Sequence, residues 1–192
     1  PSSAASDVYK RQGYTALWSN QTGNYNTAAG YGALRANISG DFNTATGYGT
    51  LFVNTAGDYG TATGYSALYN NTTGGFNTAN GYSALYTNTT GSRNTAMGST
   101  TLFMNTTGYN NTATGFEALR ENTTGYSNAA TGYQALRLNT TGGFNTASGA
   151  YALTSNIAGA ANSAFGSEAL KNNTSGSFNT ATCLLNTSDA AD

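Results

Sequence analysis

Residues 64–80 read GYSALYNNTTGGFNTAN, and this stretch is one of ten successive copies of a 17-residue unit. Outward from Gly64, glycine recurs every 17 residues, back to Gly13 and on to Gly166, so the copies fill residues 13–182. The consensus is G-Y-x-A-L-x-x-N-T-T-G-x-x-N-T-A-x. Every copy keeps Leu at the fifth position (Leu17 to Leu170), Gly at the eleventh (Gly23 to Gly176) and Ala at the sixteenth (Ala28 to Ala181). The eighth position is always Asn: Asn20, Asn37, Asn54, Asn71, Asn88, Asn105, Asn122, Asn139, Asn156 and Asn173. The fourteenth is Asn in nine copies and Gly60 in the other. A period held this strictly is the mark of a solenoid, in which each unit packs only on its neighbours.

The unit's chemistry selects among solenoids. Helical arrays need two helices per repeat, and recurrent Gly with Asn-Thr-Thr would break both. A leucine-rich repeat needs several Leu per unit where this one fixes one. A calcium-binding nonapeptide roll needs regular Asp, and only Asp41 and Asp58 are present in 13–182. What remains is an all-β parallel β-solenoid (β-roll) of ten coils, each hydrogen-bonded to the next at about 4.8 Å. N-T-A-x forms the strand, with Ala inward and β-branched Thr outward. A-L-x-x-N-T-T-G carries a single helical turn before a corner. The Asn rows form amide ladders at two corners, where Asn also tolerates left-handed backbone. The two fixed Gly serve positive φ or the close approach of neighbouring coils. One Leu and small Ala per coil offset little of the roughly 1–2 kcal/mol of backbone entropy per residue. Either the aromatic rings pack inside, or several chains share a core, most naturally a homo-trimer.

Both ends stand apart from the repeat. Residues 2–12 (SSAASDVYKRQ) resemble the translation of an adapter used in transposase-based DNA library preparation. Residues 183–192 (CLLNTSDAAD) resemble the same adapter read through in reverse, with a departure at Asn186. Residues 1–12 and 183–192 are therefore set aside as non-native, leaving 13–182 as a piece of a longer environmental chain. The only Pro (Pro1) and Cys (Cys183) go with them, so cysteine usage says nothing of redox compartment. Within 13–182 five basic residues meet five acidic ones. Without clustered Lys and Arg, capture of nucleic acid or an anionic membrane has no basis. No apolar run reaches the roughly 20 residues of a membrane span.

The run Asn111-Thr112-Ala113-Thr114-Gly115-Phe116-Glu117-Ala118-Leu119 resembles two groups of proteins. One is the head of trimeric autotransporter adhesins, stacked N-S-V-A-I-G-like repeats in a left-handed parallel β-roll. The other is the repetitive shaft of bacteriophage tail fibres, often followed by a self-cleaving chaperone domain. The likeness implies an extracellular, cell-surface or virion-borne trimeric fibre that binds or spaces a receptor-binding end. It carries over no catalytic residue.

Catalysis finds no constellation: there is no His, no Cys in the repeat, and the carboxylates occupy variable positions, so no enzyme, cofactor or metal is expected. Glu117, Arg120 and Glu121 read as a solvated patch on one coil. The sixth position runs Trp18, Arg35, Phe52, Tyr69, Tyr86, Phe103, Arg120 and Arg137. Facing out, this stripe contacts a host glycan or forms cation–π steps between coils; facing in, it fills the core or a subunit seam. The second position stacks Tyr14, Tyr31, Tyr48, Tyr65 and Tyr82. T-x-T pairs such as Thr44 with Thr46 and Thr61 with Thr63 resemble ice-binding β-solenoids, although Met97 and Phe165 interrupt that row. The N-x-[ST] triplets at Asn71, Asn88 and Asn122 are formal glycosylation acceptors but follow automatically from the N-T-T corner. The leading expectation is a structural or adhesive fibre segment, with the ice-binding face and a carbohydrate-binding module as alternatives.

Overall fold

The computed structural model describes residues 10–183. Eleven short strands form one parallel sheet whose spatial order is the chain order. They begin with β1 (Lys10–Gln12) and β2 (Thr27–Ala29) and recur every 17 residues to β10 (Ser163–Phe165) and β11 (Thr180–Ala181). Register never slips: Thr44 pairs with Thr61, Ala45 with Ala62 and Thr46 with Thr63, and the next pair of strands repeats the pattern. The chain is an all-β parallel β-solenoid of about ten coils, and like residue lies over like residue.

From β2 to β10 each strand buries its central Ala and turns the flanking residues outward, as at Thr44–Thr46 and Thr61–Thr63. The interior is narrow. It holds the strand Ala, the fifth-position Leu and the fourth-position Ala, with Leu34 through Leu153 at 0% exposure within a single chain. Buried Asn completes it. The rings of Tyr and Phe do not pack inside, and no second chain is needed to close the core. The small interior was one reason to expect a shared one, and Asn supplies the volume that apolar residues do not.

The described residues contain no helix, which corrects the expected helical turn. The backbone explains why. The third and fifth positions of each coil take positive φ, so that all ten Leu lie between 47° and 52°. Two left-handed residues in three cannot belong to a right-handed helix. The amides therefore bond to neighbouring coils: Leu34 N donates to Thr50 O at 3.0 Å and Ala36 N to Phe52 O at 3.0 Å. Tight turns fill the gaps, as where Asn37 N donates to Leu34 O at 3.2 Å.

The two fixed Gly divide the roles expected of them. Gly64 has φ 124°, and a Cβ there would lie 2.6 Å from Gly81 O. Gly57 lacks positive φ, but its Cβ would meet Gly74 O at 2.6 Å and Asn71 Nδ2 at 2.8 Å. The sheet also starts earlier than residue 13, the expected boundary. Lys10–Gln12 pairs in register with Thr27–Ala29, and Gly30 N donates to Gln12 O at 2.8 Å. An unpaired parallel edge accepts an extended segment through backbone groups alone, so composition does not decide this pairing. Residues 1–9 and 184–192 of the two set-aside ends lie outside the described residues.

A left-handed Leu costs about 1–2 kcal/mol, while burying its side chain contributes about 1.5–3 kcal/mol. Burial wins, but narrowly. Leu85→Ala should cost about 2–5 kcal/mol, and Leu85→Gly should cost no more than that. This reverses the usual disadvantage of Gly, about 0.5–1 kcal/mol, because Gly relieves the strain that Ala keeps. Urea denaturation of the two variants checks it, and a Gly variant clearly weaker than the Ala variant would contradict it.

Candidate functional site

Two buried Asn rows position the surface. Asn88 Nδ2 donates to Asn71 Oδ1 of the preceding coil at 2.7 Å and to Gly91 O of its own coil at 2.9 Å. The same two bonds recur along the row, for example at Asn54, Asn122 and Asn156. The fourteenth-position row converges on the same acceptors: Asn77 Nδ2 donates to Gly91 O at 2.7 Å, and Asn94 N donates to Asn77 Oδ1 at 3.0 Å. Each such eleventh-position Gly carbonyl thus accepts from two buried amides. Left-handed backbone was expected at the ladder Asn, but none of them has positive φ; it falls instead on the first-position Gly and on the third, fifth and thirteenth positions. Asn71, Asn88 and Asn122 are buried with their amides engaged, so these sequons are ladder chemistry in the folded chain.

The rings form a sheath outside this interior. The second-position stack runs from Tyr14 to Tyr82 with centroids 5.0–5.8 Å apart and planes within 20°. At the sixth position Phe52, Tyr69, Tyr86 and Phe103 stack continuously. Arg35 lies over Phe52 at 5.1 Å and Arg120 over Phe103 at 5.8 Å, so a guanidinium closes each end of the stack. Trp18, 65% exposed, is not part of it. Arg137 turns to Glu117 instead, at 2.8 Å. Glu117 also contacts Arg120 and accepts from Gln134 Nε2 at 2.8 Å, so the expected one-coil patch ties two coils together. Arg120 and Glu121 form a further close pair.

The stripe thus faces out, and the cation–π steps are present at both ends. Stacking also decides what the rings offer. Their faces are covered by the next coil's rings, leaving edges and hydroxyls to solvent. Between the second- and sixth-position stacks runs a groove of about 590 Å³, walled by Tyr48, Tyr65 and Tyr82 on one side and Tyr69, Tyr86 and Phe103 on the other. Its floor is the third position, with Ser66, Ser83 and Thr100. Removal from water, and then the neighbouring Tyr86 phenol, push the Tyr69 hydroxyl above the usual phenol value. The sign follows: this contribution to stability is intact below about pH 10 and is lost as pH rises through the folded value.

The sheet face is the second regular surface. Thr44, Thr46, Thr61, Thr63, Thr112 and Thr114 are exposed on it, interrupted by Met97 and Phe165 at 47% and 45%. Two further ring rows escaped the sequence reading. Tyr25, Phe42, Tyr59 and Phe76 stack at the thirteenth position, with Arg93 over Phe76, and Tyr109 stacks on Tyr126 at the twelfth. The signal was available as aromatic recurrence at 17 residues, but it is shorter than at the second position. Among the described residues no group of three His, Cys, Asp or Glu could hold a metal ion. Fold and surface define a parallel β-solenoid repeat protein. No family, curated protein or solved structure matches the chain.

Gly60 is the one gap in the fourteenth-position ladder. Its N–H still donates to Asn43 Oδ1 at 2.8 Å, but it has no amide to reach Gly74 O, where the neighbouring coils place one on the equivalent carbonyl. Gly60→Asn should restore those bonds and raise stability by about 1–2 kcal/mol, combining about 1 kcal/mol per recovered hydrogen bond with the lost freedom of Gly. Thermal denaturation read by circular dichroism checks this, and a melting temperature at or below that of the parent would contradict it.

Proposed function

We propose that this chain is a structural or adhesive fibre segment, extracellular on a cell surface or borne on a virion, whose task is to hold its ends apart as a rod. The observation that supports the reading is the unbroken in-register stacking from β1 to β11, with polar ladders inside and stacked rings outside. Rigidity along one axis is what such an arrangement provides, and the resemblance to adhesin heads and tail-fibre shafts points the same way. Ten coils at one strand spacing each give a rod of about 48 Å. Association into a trimer, as in the resembling groups, would join closed coils through outer rows such as Tyr25 to Phe76 and would not complete a shared interior. The partner at a fibre end would be a host-surface glycan or protein.

Capture of a sugar by ring stacking along the stripe has little support, because the faces that would stack are already covered. The ice-binding alternative keeps one favourable observation, the exposed Thr pairs at even spacing on a parallel sheet. One preparation separates the readings. Small-angle scattering and sedimentation of the chain should give rods of about 48 Å per ten coils, assembled as trimers, without thermal hysteresis. A monomeric rod removes the trimer and keeps the rod. A compact particle contradicts the fibre reading, and hysteresis lost on Thr61→Leu assigns the function to the Thr face.

A further inference from the structure

The groove between the two ring stacks has features that neither a spacer nor a stability role requires. Its floor carries three hydroxyls in a row, one per coil. Ser66 and Ser83 are 4% and 5% exposed and line the groove. Thr100 Oγ1 is buried and unpartnered. A buried hydroxyl left unpaired costs about 1–3 kcal/mol; Thr100 carries that cost in the groove, as Thr15 does at the same repeat position outside it, and an acceptor atom of a ligand lying in the groove would relieve it at Thr100. The groove is also bounded. At one end the Tyr69 ring leans over the floor at Gly49, its Cε2 3.2 Å from where a Gly49 Cβ would stand. At the other, the larger Glu117 follows Thr100 in the floor row and opens the charged cluster. The usable length is three coils, or about 15 Å.

Wall chemistry chooses the occupant. Rings stacked along the axis turn their edges to the groove from both sides, and ring edges carry partial positive charge. They complement the negative π-face of a flat aromatic molecule standing upright between the walls, edge-to-face on both sides. A sugar presents C–H groups on its faces, positive against positive, so it gains no ring contact from the walls and is left with hydrogen bonds to the hydroxyls alone. All nine lining residues are uncharged, so no net charge is demanded of the ligand. We propose that the groove is a binding site for a flat, elongated aromatic molecule about three rings long, lying along the solenoid axis with acceptor atoms on one edge toward Ser66, Ser83 and Thr100.

The test uses the full chain and thioflavin T, a flat elongated aromatic dye with a heterocyclic nitrogen, read by its fluorescence. Two variants borrow residues the repeat already accepts. Ser83→Gln fills the floor as Gln134 does at the same position, also at positive φ. Tyr86→Thr removes a wall ring as Thr154 does at the sixth position. Tyr126→Ser, outside the groove, is the control. The expected result is saturable one-site enhancement, weakened about tenfold by either groove variant, unchanged by the control and not displaced by cellohexaose. The proposal is overturned by absence of saturable binding, by binding indifferent to both groove variants, or by displacement with the oligosaccharide at comparable concentration.

Discussion

The structure depends on one carbonyl per coil. The eleventh-position Gly oxygen, Gly91 for example, accepts from Asn88 of its own coil and Asn77 of the coil before, both buried. Each Asn would be a liability alone, since an unpaired buried amide costs about 1–3 kcal/mol. Together they satisfy one another, and the satisfaction holds only while successive coils stay in register. A slip by one residue would bring Thr or a variable side chain under each amide. The ladder therefore specifies the fold as much as it stabilises it, and the amide dipoles, aligned head to tail, polarise one another along the axis.

This constraint reaches outward. A carbonyl approached by two amides and by the next coil's backbone leaves no room for a Cβ, which is why the eleventh residue is Gly without needing positive φ. Asn in the interior displaces the rings to the outside, where a repeat of about 5 Å stacks them face over face. That stacking leaves an edge-walled groove instead of exposed ring faces. The left-handed Leu belongs to the same economy of space: the chain folds back within a few residues, and local strain is held by complete burial.

Much of this was legible in the repeat. The spacing of Gly13, Gly30 and Gly47 gave the coil, N-T-A-x gave the strand with Ala in and Thr out, and invariant Asn gave the ladders. What stayed hidden has identifiable causes. The convergence of both ladders on Gly carbonyls involves a backbone acceptor, which no side-chain pattern records. Leu at positive φ runs against its intrinsic preference, so A-L-x-x-N reads as helical until the inter-coil bonds are seen. Hydropathy sends Tyr and Phe inward, yet the narrow section is already filled by Leu, Ala and Asn. The groove rests on Ser66, Ser83 and Thr100, small residues at a variable position, which in one dimension look like the least informative part of the unit.

The central claim is best tested by replacing one ladder amide with its acid isostere. Asn88→Asp removes two donors and sets a carboxylate against the oxygens of Asn71 and Gly91. Denaturation at neutral pH should show a loss of about 3–5 kcal/mol, the penalty of an uncompensated buried charge. Burial among acceptors raises the folded pKa of this carboxyl. The protonated acid can then donate one bond, so stability should begin to return as pH falls through that raised value, be restored in full below about pH 4, and be lost again as pH rises. Asn70→Asp, one position before Asn71 and outside the buried ladder, should do neither. A neutral-pH loss for Asn88→Asp no larger than for Asn70→Asp, with no recovery on acidification relative to the parent, would contradict the account.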